Sequence, residues 1–289
     1  YKKIPIRARR TVKKLEKADG SRRIAVYFAR PDRSLTQHDI LPFSSMLKSI
    51  GAVGDLDLVV VSNGGDGMAA EKMLALCRRY CSGKLRVVVP LYAKSAATLI
   101  ALGADEIVMG ETSELGPIDA QVFIIQDNAD QQVSADNFLR ARDHCLKELG
   151  SGDSARVEAA QIQLSLLSPA FIQHCEDLMN FGRDFARKQL QSHMLAAECA
   201  TDQSLWQSRI DRIVSNLTAT SKHLLHGRMI TAEDIQTDPE LCHLKVTALD
   251  AESEYWVLLN ELLLRMEIVA QIDDLGKILF TRSFQLAST

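Results

Sequence analysis

The chain has 289 residues, 46% hydrophobic and 25% charged, with a formal net charge of −3. These values are ordinary for a globular protein and exclude a low-complexity or disordered chain; the length suits one large domain or two small ones. No run of 18 or more apolar residues occurs, so no transmembrane helix is expected within it.

The charge is unevenly placed. Residues 1–23 hold ten Lys and Arg against Glu16 and Asp19, a local charge of +8 that leaves −11 for the remainder. Such asymmetry marks a basic arm, residues 1–21, on an acidic body. A solvated amphipathic leader and a juxtamembrane segment against anionic lipid both fit it. The six cysteines are dispersed without a close C-x-x-C pair, the pattern of a reduced, cytoplasmic setting. Cys77 and Cys81, four apart on one helix face, read as buried thiols rather than metal ligands.

In chain order, Arg23 to Phe28 predicts a first strand, Pro31 to Ser34 a turn, and Asp39 to Ile50 a helix that stops at Gly51. The apolar run Leu56 to Ser62 then breaks at Asn63-Gly64-Gly65-Asp66-Gly67, and Met68 to Tyr80 is helical. A second strand-to-helix turn repeats the plan: Leu85 to Val89, then Pro90, and Ser95 ahead of the small-residue helix from Ala96 to Gly103. Glu106 to Met109 is a further strand, followed by the loop Gly110 to Asp119. Continuous β-branched runs bounded by Gly or Pro indicate strands buried on both faces, and their alternation with helices indicates an α/β layered domain with right-handed crossovers.

Helices are then expected over Ser134 to Gly150, Val157 to Met194 with a break near Pro169, and Trp206 to Leu225. Thr231 with Glu233 and Asp234 reads as a helix start, and Leu244 to Val246 as an edge strand. From Asp250 on, one last helix carries an apolar stripe too wide to be left bare, so it packs on the body or on another subunit.

The two glycine-serine turns carry the chemistry. Lacking a Cβ, Gly64 and Gly65 let a substrate approach their N–H groups. With the N–H of Ala96 these donors form a candidate oxyanion hole, each worth roughly 3–4 kcal/mol of acyl-transfer barrier. Ser95, at a helix start, is the candidate nucleophile. Loops at the carboxyl ends of parallel strands bind ligands, which draws in the 110–119 loop; there Glu111 reads as a solvated carboxylate, and Glu114 and Asp119 as loop-shaping residues.

The series LDLVVVSNGGDG, VVVPLYAKSAATLIALGADEIVMG and SELGPIDAQ resembles the serine dehydrogenase proteinase family, a membrane-linked branch of the ClpP and signal peptide peptidase A class, over about Arg22 to Val246. That resemblance implies a ClpP/crotonase fold of stacked βαβ units over residues 22–249 with a helical insertion over about 134–225; residues 250–289 beyond it are the C-terminal helix read from the apolar stripe. It implies Ser95 as nucleophile and Gly64 and Gly65 in the oxyanion hole. It also implies homo-oligomerisation, and a cytoplasmic chain tethered to the inner membrane by an upstream segment. Two positions depart from the family pattern: Asn63 stands where Pro is usual, and Lys94-Ser95-Ala96-Ala97 replaces Met-Ser followed by small residues that include Gly.

A serine hydroxyl needs a base within hydrogen-bond reach. His226 precedes a helix-initiating Thr and acidic residues, as in the family. Lys147, on a helix 52 residues after Ser95, looks like the Lys of a Ser-Lys dyad and would need burial to lower its pKa. Lys94 adjoins Ser95, but neighbouring side chains at a helix start point apart. The resulting expectation is a serine endopeptidase acting on a protein or peptide, needing no cofactor, metal or nucleotide, with no P-loop and no nucleic-acid partner. An acyl-CoA enzyme on the crotonase fold and a non-catalytic scaffold binding a peptide or partner are the alternatives.

Overall fold

The computed structural model describes residues 6–20, 22–126, 129–219 and 228–289. Strands β1 (Arg23–Ala29), β2 (Leu56–Val61), β3 (Leu85–Val89) and β5 (Glu106–Met109) lie in parallel, and β9 (Val246–Ala248) extends them along one edge. Short β4 (Tyr92–Ala93) and β6 (Glu114–Leu115) form a separate parallel pair.

The strands are apolar on both sides because helices cover both sides. On one face α2 (Ile40–Ile50), α3 (Gly67–Tyr80) and α4 (Ala96–Leu102) pack on Leu58, Val60, Val87, Val89, Ile107 and Met109. The alternate residues Val59, Val61, Val88 and Val108 face α1 (Ile6–Ala18) and the C-terminal helix, numbered α11 here (Glu254–Asp273). Between the layers Asp57 of β2 is fully buried yet fully paired. It accepts from Arg22 Nε (2.6 Å), Arg86 Nε (2.8 Å) and Nη2 (2.6 Å), and the Tyr255 hydroxyl (2.9 Å). A buried carboxylate is tolerable only on such terms.

Most elements follow the sequence reading, including the break at Pro169. There Ser168 caps α7 (Pro169–Ser192), separating it from α6 (Ser154–Ser165). Proline at the first helical position has no N–H to satisfy, so it starts a helix as readily as it ends one. Helices α5 (Ala135–Leu149), α8 (Ala196–Thr201), α9 (Gln203–Thr218) and α10 (Ala232–Thr237) are the remaining α-helices among the described residues. Thr231 and Asp234 cap α10 reciprocally.

Three segments differ from expectation. Residues 6–18 of the basic arm form α1, whose Ala8, Val12 and Leu15 are buried against α11 and the sheet, so this part of the arm belongs to the body. The expected C-terminal helix over 250–289 ends at Asp273, where Asp274 turns left-handed (φ 51°). The chain then returns as β10 (Lys277–Phe280), antiparallel to β1, and β11 (Gln285–Ser288). Finally, β7 (Gln121–Gln126) and β8 (Ala129–Ser134) form an antiparallel pair that their glutamine-rich sequence did not announce. No helix among the described residues is long and apolar enough to cross a membrane.

Candidate active site

The chain segments leaving β2 and β3 run side by side. Ser62 donates its N–H to the Tyr92 carbonyl and accepts from the Lys94 N–H, both at 3.0 Å. On the far side, the Leu35 N–H donates to the Gly64 carbonyl (2.7 Å) and the Asp66 N–H to the Leu35 carbonyl (2.9 Å). Positions 64 and 65 are thus squeezed between two backbones, with φ of +93° and +141°. A Cβ would lie 2.4 Å from the Lys94 carbonyl oxygen at residue 64, and 2.3 Å from that of Leu35 at residue 65. Glycine alone fits either place. Asn63, at the family's usual Pro position, donates its amide to the Pro31 carbonyl at 3.0 Å.

Ser95 sits in the second turn with φ 52° and ψ −118°. Holding a non-glycine residue there costs about 1–3 kcal/mol, which the surrounding structure must supply. Its side chain is half-buried, and its Oγ makes a long 3.5 Å contact with the Asp119 carbonyl. A Cβ built on Gly64 would lie 2.9 Å from the Ser95 Cβ and 2.8 Å from the Ala96 nitrogen, so Gly64, Ser95 and Ala96 are brought together. The methyls of Ala96 and Ala97 are buried without disturbing α4, so the departure from the glycine-containing pattern is accommodated.

The backbone donors are not equivalent. The Gly64 N–H is already held by the buried Ser62 Oγ at 3.0 Å. Of the three expected donors this one is therefore taken, because a hydroxyl two residues back satisfies an amide that the enclosed turn buries. The N–H groups of Gly65 and Ala96 meet no acceptor among the described residues, and Gly65 is exposed. Ser62 and its amide bond were missed by sequence reasoning; a polar residue closing an otherwise apolar strand just before Gly-Gly was the available signal.

The 110–119 loop closes one side of the site. Its Gly116 N–H donates to the Ala93 carbonyl (3.1 Å), and the Thr98 hydroxyl lies 2.8 Å from the carbonyls of both Ala93 and Gly116. Glu111 is exposed, as expected for a solvated carboxylate. Glu114 pairs with Lys94 Nζ at 2.7 Å, which draws the lysine side chain along Gly116. Asp119 is buried, and its carboxylate accepts from Ser134 Oγ and Gln121 Nε2, each at 2.7 Å. Ser134 is also the N-cap of α5, so that helix begins beside the site.

Lys147 lies at the opposite end of α5, thirteen residues from Ser134, or about 20 Å along the axis at the usual helical rise. It is exposed. The structure does not bring it to Ser95. His226 falls within residues 220–227, outside the described residues. Cys77 and Cys81 are buried free thiols, and burial pushes that of Cys77 well above its usual range. Among the described residues no group of His, Cys, Asp and Glu is arranged to hold a metal ion.

Two uncharacterised proteins of Methanocaldococcus jannaschii are similar. One is 30% identical over 122 residues, 39% of this chain and 41% of that protein. The other is 42% identical over 67 residues, 23% of each. The chain thus spans less than half the length of the curated relatives it matches. Among solved structures, a mutant of the 1510-N membrane-bound stomatin-specific protease aligns over 80% of this chain and 79% of its own, with 13% identity and a TM-score of 0.44. ThnE from S. clavuligerus aligns over 85% and 80%, with 12% identity and a TM-score of 0.36. A family model, that of the ClpP-like SDH-type serine proteinases, matches residues 5–152, just over half of the chain and inclusive of both turns and the 110–119 loop. The chain belongs to the ClpP-like SDH-type serine proteinase family.

Proposed function

We propose that the protein is a serine endopeptidase in which Ser95 Oγ attacks a peptide carbonyl and the N–H groups of Gly65 and Ala96 receive the oxyanion. The observation that carries this reading is the strained conformation of Ser95 directly against Gly64. A turn that expends free energy to present a hydroxyl beside open amides suits a reaction whose charge develops at that point. The step forms an ester to Ser95, passes the hydroxyl proton to a base and then to the leaving amine, and water releases the acid. It consumes no nucleotide, so cleavage is expected without ATP. Of the sequence candidates, His226 is the base this reading retains.

A second reading, a peptide-binding scaffold, draws on one observation: the partner of Ser95 Oγ among the described residues is a carbonyl, which cannot take its proton. A fluorophosphonate probe separates the two. Labelling is expected at Ser95 and lost, together with peptide cleavage, in Ser95→Ala. An unlabelled, folded protein beside a labelled control protease would favour the scaffold.

A further inference from the structure

Helix α1 presents a face of one sign. Arg7, Arg9, Arg10, Lys13, Lys14 and Lys17 are all exposed. The one carboxylate of the helix, Glu16, is buried and paired with Arg23 (3.3 Å) and Arg282 (3.2 Å). A solvated helix balances its outer charges more often than this. Beside it, α11 keeps four large aliphatic side chains in the open: Val257, Leu264, Ile268 and Ile272, exposed by 52%, 62%, 46% and 77%. Their spacing of seven, four and four residues sets them along one line of the helix.

The two helices pack against each other and cover the same face of the sheet, so the sides they turn away from the sheet look the same way. We infer that this outer surface of α1 and α11 docks on an anionic lipid bilayer, with the cations over the headgroups and the aliphatic line at the acyl boundary. A row of cations beside an apolar line matches the layered order of such a surface. A two-fold copy fits less well, since it would bring a second row of six cations to the same interface. The stripe also contains Glu261, paired with Arg265 at 2.8 Å, and Glu254 and Glu267 flank it, which makes the seating shallow and salt-sensitive.

The whole chain is tested by co-sedimentation with vesicles of phosphatidylcholine alone and with about one-third phosphatidylserine. Binding is expected to the second only, and to fall at high salt. Lys13→Glu with Lys14→Glu should weaken it by about tenfold or more, and Ile268→Ser with Ile272→Ser by several-fold, while thermal melting shows both variants folded. Equal binding to both vesicles, or none to either, overturns the proposal. So does an Ile268→Ser, Ile272→Ser variant that binds as tightly as the parent, because cations alone would then suffice. A concentration-dependent doubling of mass lost in that same variant would assign the surface to a second copy instead.

Discussion

Gly64 and Ser95 are locked against each other: a methyl group on the first would sit 2.9 Å from the Cβ of the second and 2.4 Å from the carbonyl oxygen of Lys94. Backbone oxygen cannot swing aside as a side chain would. Gly64→Ala is therefore expected to displace the Ser95 turn, abolish fluorophosphonate labelling and cost about 3 kcal/mol or more, the upper range for one substitution. Chemical denaturation and labelling of the same preparation check both. An Ala variant that labels at the parental rate would mean that the contact between the two turns is not needed for nucleophile presentation.

The two base candidates separate by position. Lys147 is exposed at the far end of α5, so Lys147→Ala should leave peptide cleavage within about twofold. His226→Ala should lower the rate by roughly 10²–10⁴-fold, the usual worth of a general base. A large loss in the lysine variant would contradict its placement; mild effects in both would send the search for the base elsewhere.

Asp57 is the buried carboxylate between two guanidinium groups, Arg22, which also pairs with Asp55, and Arg86, which also pairs with Asp19. Asp57→Asn keeps the shape and removes the charge, leaving each arginine with only its outer carboxylate, Asp55 or Asp19. Breaking a buried pair in this way typically costs about 3–5 kcal/mol. Because the carboxylate also accepts from Tyr255, the docking of α11 on the sheet should loosen too. Urea denaturation gives the first quantity, and hydrogen exchange in α11 the second.

Arg78 links two groups that titrate in acid. Asp105 resists ionisation through burial, but hydrogen bonds from Arg78 and the Leu85 N–H outweigh that and hold its carboxyl below the usual range. Burial, and then Arg78, hold His193 below its ordinary value. For the histidine, the unfolded chain takes up a proton near pH 6.5 while the folded one resists it, so stability declines as pH falls below about 6.5. For the aspartate, stability is present above about pH 4 and is lost as pH falls through the lowered folded value. His193→Gln should flatten the first decline and leave the second. Melting temperature against pH reads both, and an unchanged upper limb would show that His193 is not its source.

The parallel sheet was legible because its central strands are apolar runs, interrupted only by Asp57 in β2 and Arg86 in β3, with Gly, Asn or Pro close behind each. The break at Pro169 was legible for a similarly local reason. By contrast, β10 contains only four residues, and a short apolar run after a long helix does not say which strand it will join. Its pairing with β1, more than two hundred residues earlier, is a long-range choice. The glutamine-rich β7 and β8 carried no alternation strong enough to be read.

At the candidate site, residue type and spacing were enough to single out Ser95, Gly64, Gly65 and Ala96, since glycine pairs after strands and serine before a small-residue helix are local features. Which amide stays open was not local. Gly64 gives its N–H to Ser62 because Leu35 and Lys94 close on the turn from opposite sides, and that enclosure exists only once β2 and β3 are paired. The placement of α1 followed the same rule. Charge alone suggested a free arm, but Ala8, Val12 and Leu15 had apolar area to bury, and the face beside α11 was where the folded chain could bury it.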